Sequence, residues 1–134
     1  MGGTHTDVRT GIAHGSGVCP AITDTLSRIG DKWTVLIVGT LRDGPMRYSE
    51  LGRAIGGISQ RMLTLTLKGL ERDGLVSRTV YPSVPPRVDY ELTELGRLLL
   101  APLHALFQWA VAYQPTMLEA RERYDNKSET TSSQ

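Results

Sequence analysis

The sequence is poor in cysteine and histidine. It contains one cysteine, Cys19, and three dispersed histidines, His5, His14 and His104. A single cysteine cannot form an intrachain disulfide, which excludes the small disulfide-stapled scaffolds. So few thiol and imidazole ligands, so widely spaced, also argue against a structural zinc site. We therefore expect no metal and no other cofactor.

Long apolar runs are also missing. The longest, Val35–Val38 and Leu98–Leu103, are far shorter than the roughly 20 residues that span a bilayer. The N-terminal stretch MGGTHTDVRTG has no apolar region of the kind found in secretory signals. With 134 residues, 40% of them apolar, we expect one soluble, cytoplasmic domain with no membrane partner.

The net charge is only +1, from 15 basic and 14 acidic residues. Its distribution is uneven, because residues 47–68 carry net +3 and residues 76–88 carry net +2, which leaves −4 for the remainder. Two basic islands in an otherwise acidic chain indicate a local site for an anionic partner. The ordinary alternative is a solvated surface of mixed charge.

Composition divides the chain into three parts. Residues 1–18 are rich in Gly, Thr and Ser and are typical of a flexible arm. Residues 19–114 have the apolar periodicity of a folded domain. Residues 115–134 form an extension, which we expect to be largely disordered after about residue 124, where the sequence becomes DNKSETTSSQ.

Two helices are predicted at the start of the domain. The first begins at Cys19-Pro20, because proline is favoured at the first helical position, and ends at Gly30. The second is capped by Asp31 and runs from Lys32 to about Leu41. It is apolar on nearly all sides and is therefore expected in the middle of the domain.

Two further helices follow across a tight turn. The third runs from Ser49, its predicted N-cap, to about Ile55, and Gly56-Gly57 forms the turn. The fourth is capped by Ser59 and reaches Asp73. Its inward stripe is Leu63, Leu67 and Leu70.

The rest of the domain is predicted as a ribbon and a long helix. Residues 76–81 and 88–92 alternate as two strands joined by a proline-rich extended loop. Thr93 caps a last helix that reaches about Gln114 and is bent by Pro102. This helix has more apolar surface than a monomer core needs, which favours a dimer interface formed with the first helix. The predicted dimer residues are Ile22, Leu95, Leu99, Leu103, Leu106, Trp109, Ala110 and Tyr113.

This order of elements predicts a winged helix-turn-helix, mainly α with a small β-hairpin wing (α+β). It would dimerise through the long C-terminal helix and the first helix. Gln and Arg side chains in the first turn of a recognition helix read base edges in the major groove. A capped helix N-terminus favours phosphate, and a wing arginine meets phosphate or the minor groove. The predicted DNA-binding residues are Ser49, Ser59, Gln60, Arg61, Thr64, Leu65, Lys68 and Arg87.

Two alternatives remain open on this face. The polar side of the fourth helix is also what any solvated amphipathic helix presents, although the two basic islands coincide with the recognition helix and the wing. Leu65 is apolar on the outward side. It would either contact a thymine methyl group or be a buried neighbour of the third helix.

Several motifs occur in order at family-like spacing. They are Cys19-Pro20, IGDKW at 29–33, GPMRYSEL at 44–51, GISQRMLT at 57–64, LERDGLV at 70–76, YPSVPPRVDY at 81–90 and LTELGR at 92–97. From Cys19 to Trp109 the chain thus resembles HxlR-type winged-helix transcriptional regulators, distant relatives of MarR-type proteins. The resemblance implies a bacterial dimer that binds DNA, with Ser59, Gln60, Arg61 and Thr64 on the recognition helix and Arg87 on the wing. The chain departs from the family pattern at Leu65-Thr66, where long polar residues are usual.

Cys19 is a candidate chemical sensor. A helix N-terminus favours the thiolate and so raises the reactivity of a thiol, and the resemblance implies a role in sensing electrophiles or oxidants. The alternative is a small buried hydrophobic residue beside Trp33 or Leu36. A small aromatic ligand held between the first and last helices is a second type of effector.

The function predicted from the sequence is a homodimeric regulator, most simply a repressor, bound to a palindromic operator in double-stranded DNA. A winged helix used for protein–protein contact is the alternative. An enzyme is not expected, because no base that could activate the thiol adjoins Cys19.

Overall fold

The computed structural model describes residues 19–132. The arm predicted over residues 1–18, with His5 and His14, lies outside the described residues. Contacts divide the chain into two compact units, one reaching Arg97 and the other starting at Leu98.

The first unit carries the helices and strands of a winged helix, which confirms the predicted fold class. In chain order the elements are α1 (Pro20–Ile29), α2 (Lys32–Thr40), a 3-10 turn (Leu41–Asp43), β1 (Met46–Arg47), α3 (Tyr48–Ile55), α4 (Gln60–Arg72), β2 (Val76–Tyr81), β3 (Arg87–Leu92), α5 (Glu94–Leu98) and α6 (Leu100–Ser132).

Local caps set most of the helix starts. The Asp31 carboxylate accepts hydrogen bonds from the Trp33 and Thr34 amides at 3.1 and 3.2 Å, and Ser59 Oγ accepts one from the Met62 amide at 3.0 Å. Both caps are as predicted. The prediction for Ser49 is wrong, because α3 begins at Tyr48 and Ser49 lies within its first turn. The Glu50 carboxylate accepts from the Arg47 amide at 3.2 Å and closes that helix end instead.

The core lies where α2, α3 and α4 meet the sheet. Its fully buried residues include Ile37, Val38, Leu41, Leu51, Leu67 and Leu70. The predicted stripe of α4 is therefore confirmed, with Leu63 also buried. The second helix is less enclosed than predicted, because Leu36 remains exposed. No side chain of α1 is buried.

The sheet has three antiparallel strands in the order β1-β3-β2. The hairpin β2–β3 pairs Val76 with Leu92 and Tyr81 with Arg87, close to the predicted strands. The short strand β1 was not predicted. It pairs Met46 with Tyr90 and Arg47 with Asp89, and so joins the start of α3 to the middle of β3.

The last helix differs from the prediction at both ends. It is interrupted at Leu99, so that Pro102 lies in the first turn of α6 instead of bending one continuous helix. The break has a simple cause, because Pro102 has no N–H to bond to the Leu98 carbonyl. At the other end, α6 continues through Pro115 to Ser132, whereas the sequence predicted an end near Gln114 and disorder after about residue 124.

By length and composition alone, the segment Glu94–Glu129 is apolar enough to cross a membrane. The sequence prediction missed this property because it considered only the lengths of uninterrupted apolar runs, which are short in this segment. Very little of the segment is buried within the single chain.

Candidate nucleic-acid interface

Two glycines shape the turn between α3 and α4. Gly56 and Gly57 have backbone φ angles of +69° and +68°. Residues that carry a Cβ rarely adopt such positive values. The turn lets Leu51 of α3 and Leu63 of α4 share one core. The opposite side of α4 is thereby turned outward.

That outward side carries the predicted basic residues. Gln60, Arg61 and Lys68 are exposed, and Leu65 is 50% exposed. Within residues 19–132 neither Arg61 nor Lys68 forms an ion pair with a carboxylate. Their charges are therefore available to an external anion. The alternative that Leu65 is a buried neighbour of the third helix is wrong, because half of its side chain is open to solvent.

Thr64 is placed differently from its predicted neighbours. It is half-buried, and its Oγ1 lies 2.8 Å from the hydroxyl of Tyr48 in α3. The same Tyr48 hydroxyl donates to the Gln60 carbonyl at 3.1 Å. Thr64 therefore connects the two helices of the motif, and Tyr48 sets the position of the first turn of α4.

A basic groove lies between the start of α3 and the wing, which we define as the β2–β3 hairpin with its loop. Its volume is about 710 Å³, and it is lined by Arg47, Arg78, Arg87 and Ser49 among others. Ser49 was predicted to contact DNA, and the structure places it in this groove. Arg47 and Arg78 were counted in the basic islands but not predicted as site residues.

The wing arginine is held by a neighbouring carboxylate. Arg87 donates two hydrogen bonds to Asp89, each 2.9 Å long, and its guanidinium lies 5.3 Å from the centre of the Tyr81 ring. The hydrogen bonds from Arg87 hold the pKa of the Asp89 carboxyl below its usual value. They raise the pKa of Arg87 in return. Arg87 is thus oriented rather than free, and half of its side chain remains exposed.

The sequence pattern gave no sign of Asp89 or Tyr48 as site residues. Asp89 lies in a strand of alternating apolar and polar residues, and this pattern predicts that its carboxylate faces solvent. In the structure Asp89 is buried in the sheet. Tyr48 stands in a turn-like stretch, and its partners lie 12 and 16 residues further along the chain. Of the site residues that were not predicted, only Arg47 and Arg78 could have been found from the sequence, because they belong to the two basic islands.

Cys19 is exposed and caps α1 through its backbone. Its carbonyl accepts a hydrogen bond from the Thr23 amide at 3.1 Å. The alternative of a buried hydrophobic residue beside Trp33 or Leu36 is therefore wrong. Within residues 19–132 no group of three or more His, Cys, Asp or Glu side chains could hold a metal ion.

The predicted dimer residues are open to solvent in the single chain. Ile22 of α1 and Leu95 of α5 are exposed by about half. In α6, Leu106 and Trp109 are 58% and 52% exposed, and Ala110 and Tyr113 are exposed with them. Leu99 and Leu103 are half-buried.

A family model and curated relatives both match this chain, and both are helix-turn-helix regulators. The model of the HxlR-like helix-turn-helix family matches residues 28–117. The HTH-type transcriptional regulator YtfH of Escherichia coli is 41% identical over 104 residues, which are 78% of this chain and 82% of that protein.

Solved structures agree with the sequence matches. The transcriptional regulator YtfH from Salmonella typhimurium is similar with a TM-score of 0.71 and 42% identity, over 78% of this chain and 93% of that one. The redox regulator HypR in its oxidised form is similar with a TM-score of 0.64 and 44% identity, over 70% and 96%. This is a class of regulators and not of enzymes. The chain belongs to the HxlR-like helix-turn-helix family of transcriptional regulators.

Proposed function

We propose that the protein is a homodimeric repressor that binds a palindromic operator in double-stranded DNA. The observation that carries the proposal is the outward side of α4, where Arg61 and Lys68 are exposed and have no carboxylate partner among the described residues. A DNA ligand also implies a cytoplasmic protein.

Each residue of this surface has a distinct role in the proposal. Gln60 and Arg61, in the first turn of α4, read base edges in the major groove. Leu65 meets a thymine methyl group, and Lys68 neutralises a phosphate. The N-terminus of α4, capped by Ser59, adds a second phosphate contact. Thr64 does not contact DNA directly; its hydrogen bond with the Tyr48 hydroxyl holds α4 against α3.

The basic groove extends the contact toward the wing. Arg47, Arg78 and Arg87 line it together with the Ser49 hydroxyl. Three guanidinium groups around one groove suit a phosphate backbone, because guanidinium binds phosphate oxygens in pairs. Asp89 orients Arg87 for this contact, and Arg87 keeps enough exposure to reach it.

The homodimer is supported by the apolar surface that a single chain leaves open. α1 has no buried residue, and its Ile22 and Leu26 are exposed. The aromatic pair Trp109 and Tyr113 in α6, with ring centres 5.4 Å apart, is also exposed. Large apolar patches of this kind mark interaction sites. In a two-fold dimer the recognition helices would lie about 34 Å apart and read the two halves of a palindrome.

We propose oxidants or electrophiles as the effector, acting at Cys19. Its thiol is exposed at the N-terminus of α1, and HypR, 44% identical, is described as a redox regulator. Cys19 is the sole cysteine. Its oxidised form would therefore be a disulfide between subunits, a mixed disulfide with a small thiol or an adduct. A small aromatic ligand is the alternative effector.

A mobility-shift titration with the chain's own upstream region tests the proposal. Wild type is expected to give a specific complex that unlabelled operator displaces and that weakens steeply with salt. Unchanged binding by both Arg61→Ala and Arg87→Ala would show that the DNA surface is assigned wrongly. No complex even at low salt, together with a protein that copurifies, would favour a protein–protein module instead.

A further inference from the structure

The helix α1 is attached to the rest of its unit near its C-terminal end. Every residue of α1 is exposed except Arg28 and Ile29, which are half-buried. A cavity of about 360 Å³ lies between α1 and the first two turns of α4, and it is lined by Ser27, Met62 and Leu65 among others. The position of α1 relative to the recognition helix therefore depends on the contacts that Arg28 and its neighbour make.

Arg28 connects α1 to the far end of the recognition helix. Its Nε donates a hydrogen bond to the Asp73 carboxylate at 2.7 Å, and Asp73 is the C-cap residue of α4. The two residues are 45 positions apart in the sequence, so this ion pair joins two elements instead of stabilising one helix. Both side chains keep more than a third of their surface exposed.

Gly69 lets the guanidinium of Arg28 lie directly against α4. A Cβ added at Gly69 would come to 2.5 Å from Nη1 and 2.9 Å from Cζ of Arg28, so another residue at this position would displace the guanidinium. Exposed ion pairs contribute little because two long side chains must be ordered to form them. Here the helix backbone at Gly69 and the Asp73 carboxylate both hold the guanidinium, which an ordinary exposed pair lacks.

The turn after α4 is also held by the residue that precedes α5. Thr93 Oγ1 donates to the Gly74 carbonyl at 2.6 Å, and the Thr93 amide donates to the Leu75 carbonyl at 3.0 Å. The C-terminal end of α4 is thus attached both to α1 and to the segment that leads into α6. These are the helices that carry the proposed dimer surface.

From these contacts we infer that Arg28 is a positioning residue for operator binding. Its ion pair with Asp73 sets the position of α4 relative to α1 and hence, in the dimer, the separation of the two recognition helices. The inference rests on the proposed function, because it needs a dimer that pairs through α1. A dimer with a fixed separation discriminates between half-site spacings, since one extra base pair moves a half-site by about 3.4 Å and roughly 35° around the duplex.

The test measures affinity for three operators by mobility shift: the operator from the chain's own upstream region, and versions with one central base pair added or removed. Wild type should prefer the original spacing. Arg28→Gln should weaken the original operator about tenfold, from about threefold for each subunit's ion pair. It should lose less on the two altered operators, so that the spacing preference narrows. An equal loss on all three operators would indicate a merely structural role and would overturn the inference.

Asp73→Asn separates positioning from charge. Removal of a carboxylate makes the protein more positive, which by itself strengthens binding to a polyanion. The inference predicts the opposite, weaker binding with a narrowed spacing preference, and tighter binding would overturn it. Arg42→Gln is the matched control for Arg28→Gln, because it removes an equal charge whose ion pair is with the adjacent Asp43. It should leave affinity within about twofold of wild type and the spacing preference unchanged.

Two glycine variants test the contact with the helix backbone. Gly69→Ala and Gly39→Ala both raise the helix propensity of an interior position. Gly69→Ala displaces the guanidinium and should narrow the spacing preference as Arg28→Gln does. Gly39→Ala, where an added Cβ meets nothing within 4 Å, should not. Equal behaviour of the two variants would overturn the inference.

Two further measurements complete the test. The double variant Arg28→Gln/Asp73→Asn should bind no more weakly than either single variant, because one substitution already breaks the pair; additive losses would contradict this. Arg28→Gln should remain dimeric in analytical ultracentrifugation, and a monomer would overturn the inference by showing that Arg28 acts on dimerisation. No wild-type complex at all would overturn the proposed function and the inference with it. A normal wild-type complex that Arg28→Gln shares unchanged would overturn the inference alone.

Discussion

Arg87 and Asp89 of β3 form a two-bond ion pair within the wing, with both N···O distances at 2.9 Å. Asp89 pairs in register with Arg47 of β1, and the charges of both Arg87 and Arg47 act on its carboxylate. Arg47 contributes to lowering the pKa of Asp89, after the larger effects of Arg87. The wing and the start of the helix-turn-helix are thereby joined by charge as well as by strand pairing.

This pair predicts an acid-dependent stability. The folded pKa of Asp89 lies below its unfolded value of about 3.9, so the carboxylate stabilises the fold above roughly pH 4 and ceases to do so as the pH falls through the folded pKa. Urea unfolding of wild type and Asp89→Asn from about pH 7 to about pH 3 measures this. The difference in unfolding free energy should be largest near neutrality and narrow on acidification. A difference independent of pH would contradict the role of the carboxylate.

Tyr48→Phe removes the hydroxyl that joins α3 to α4. The hydrogen bonds to the Gln60 carbonyl and to Thr64 Oγ1 are lost, and stability should fall by about 1 kcal/mol. Operator affinity should fall as well, because the first turn of α4 is less firmly held. Tyr124→Phe, on the exposed last helix, is the matched control and should change neither quantity. An equal effect of the two variants would rule out a specific connection.

Leu106→Glu tests the dimer. The side chain is 58% exposed in the single chain, and a charge on a buried partner surface is strongly unfavourable. Analytical ultracentrifugation should show a dimer for wild type and a monomer for this variant. Val84→Glu makes the same exchange on a fully exposed wing residue and should remain dimeric. A monomeric wild type would show that the apolar surface of α6 is not a dimer interface. A wild type that sediments only with lipid vesicles would show that this surface binds lipid instead.

Cys19→Ser tests the oxidant response. Diamide takes up two hydrogens as two thiols join in a disulfide, so treatment of wild type should give a Cys19 disulfide, release the operator and be reversed by a thiol reductant. The variant should bind the operator and ignore diamide. Mass spectrometry of treated wild type identifies the product. A thiol that stays unmodified in the native dimer would end the sensor proposal.

Local signals in the sequence were sufficient for much of the fold. The caps at Asp31 and Ser59 were predictable because each acts on amides two or three residues away. The buried stripe of α4 was predictable because helical periodicity places Leu63, Leu67 and Leu70 on one face. These features need no knowledge of the rest of the chain.

Features that depend on distant partners were missed. Strand β1 exists only because β3 is beside it, and two residues have no periodicity to read. Tyr48 acts through residues on the next helix, and Asp89 is buried by a sheet that the strand pattern could not foresee. α6 passes through Pro115 although an interior proline loses one helical hydrogen bond, so this proline did not mark the end of the helix.

The salt dependence of operator binding tests the central claim most directly. Wild type, Lys68→Ala and Lys32→Ala are titrated against the same operator at several salt concentrations; Lys32 carries an equal charge outside both basic islands. Each lost phosphate contact lowers the slope of log K against log salt by roughly one, hence by roughly two for a dimer. The account predicts weaker binding and this reduced slope for Lys68→Ala, with Lys32→Ala like wild type. Equal affinities and slopes for all three proteins would contradict it.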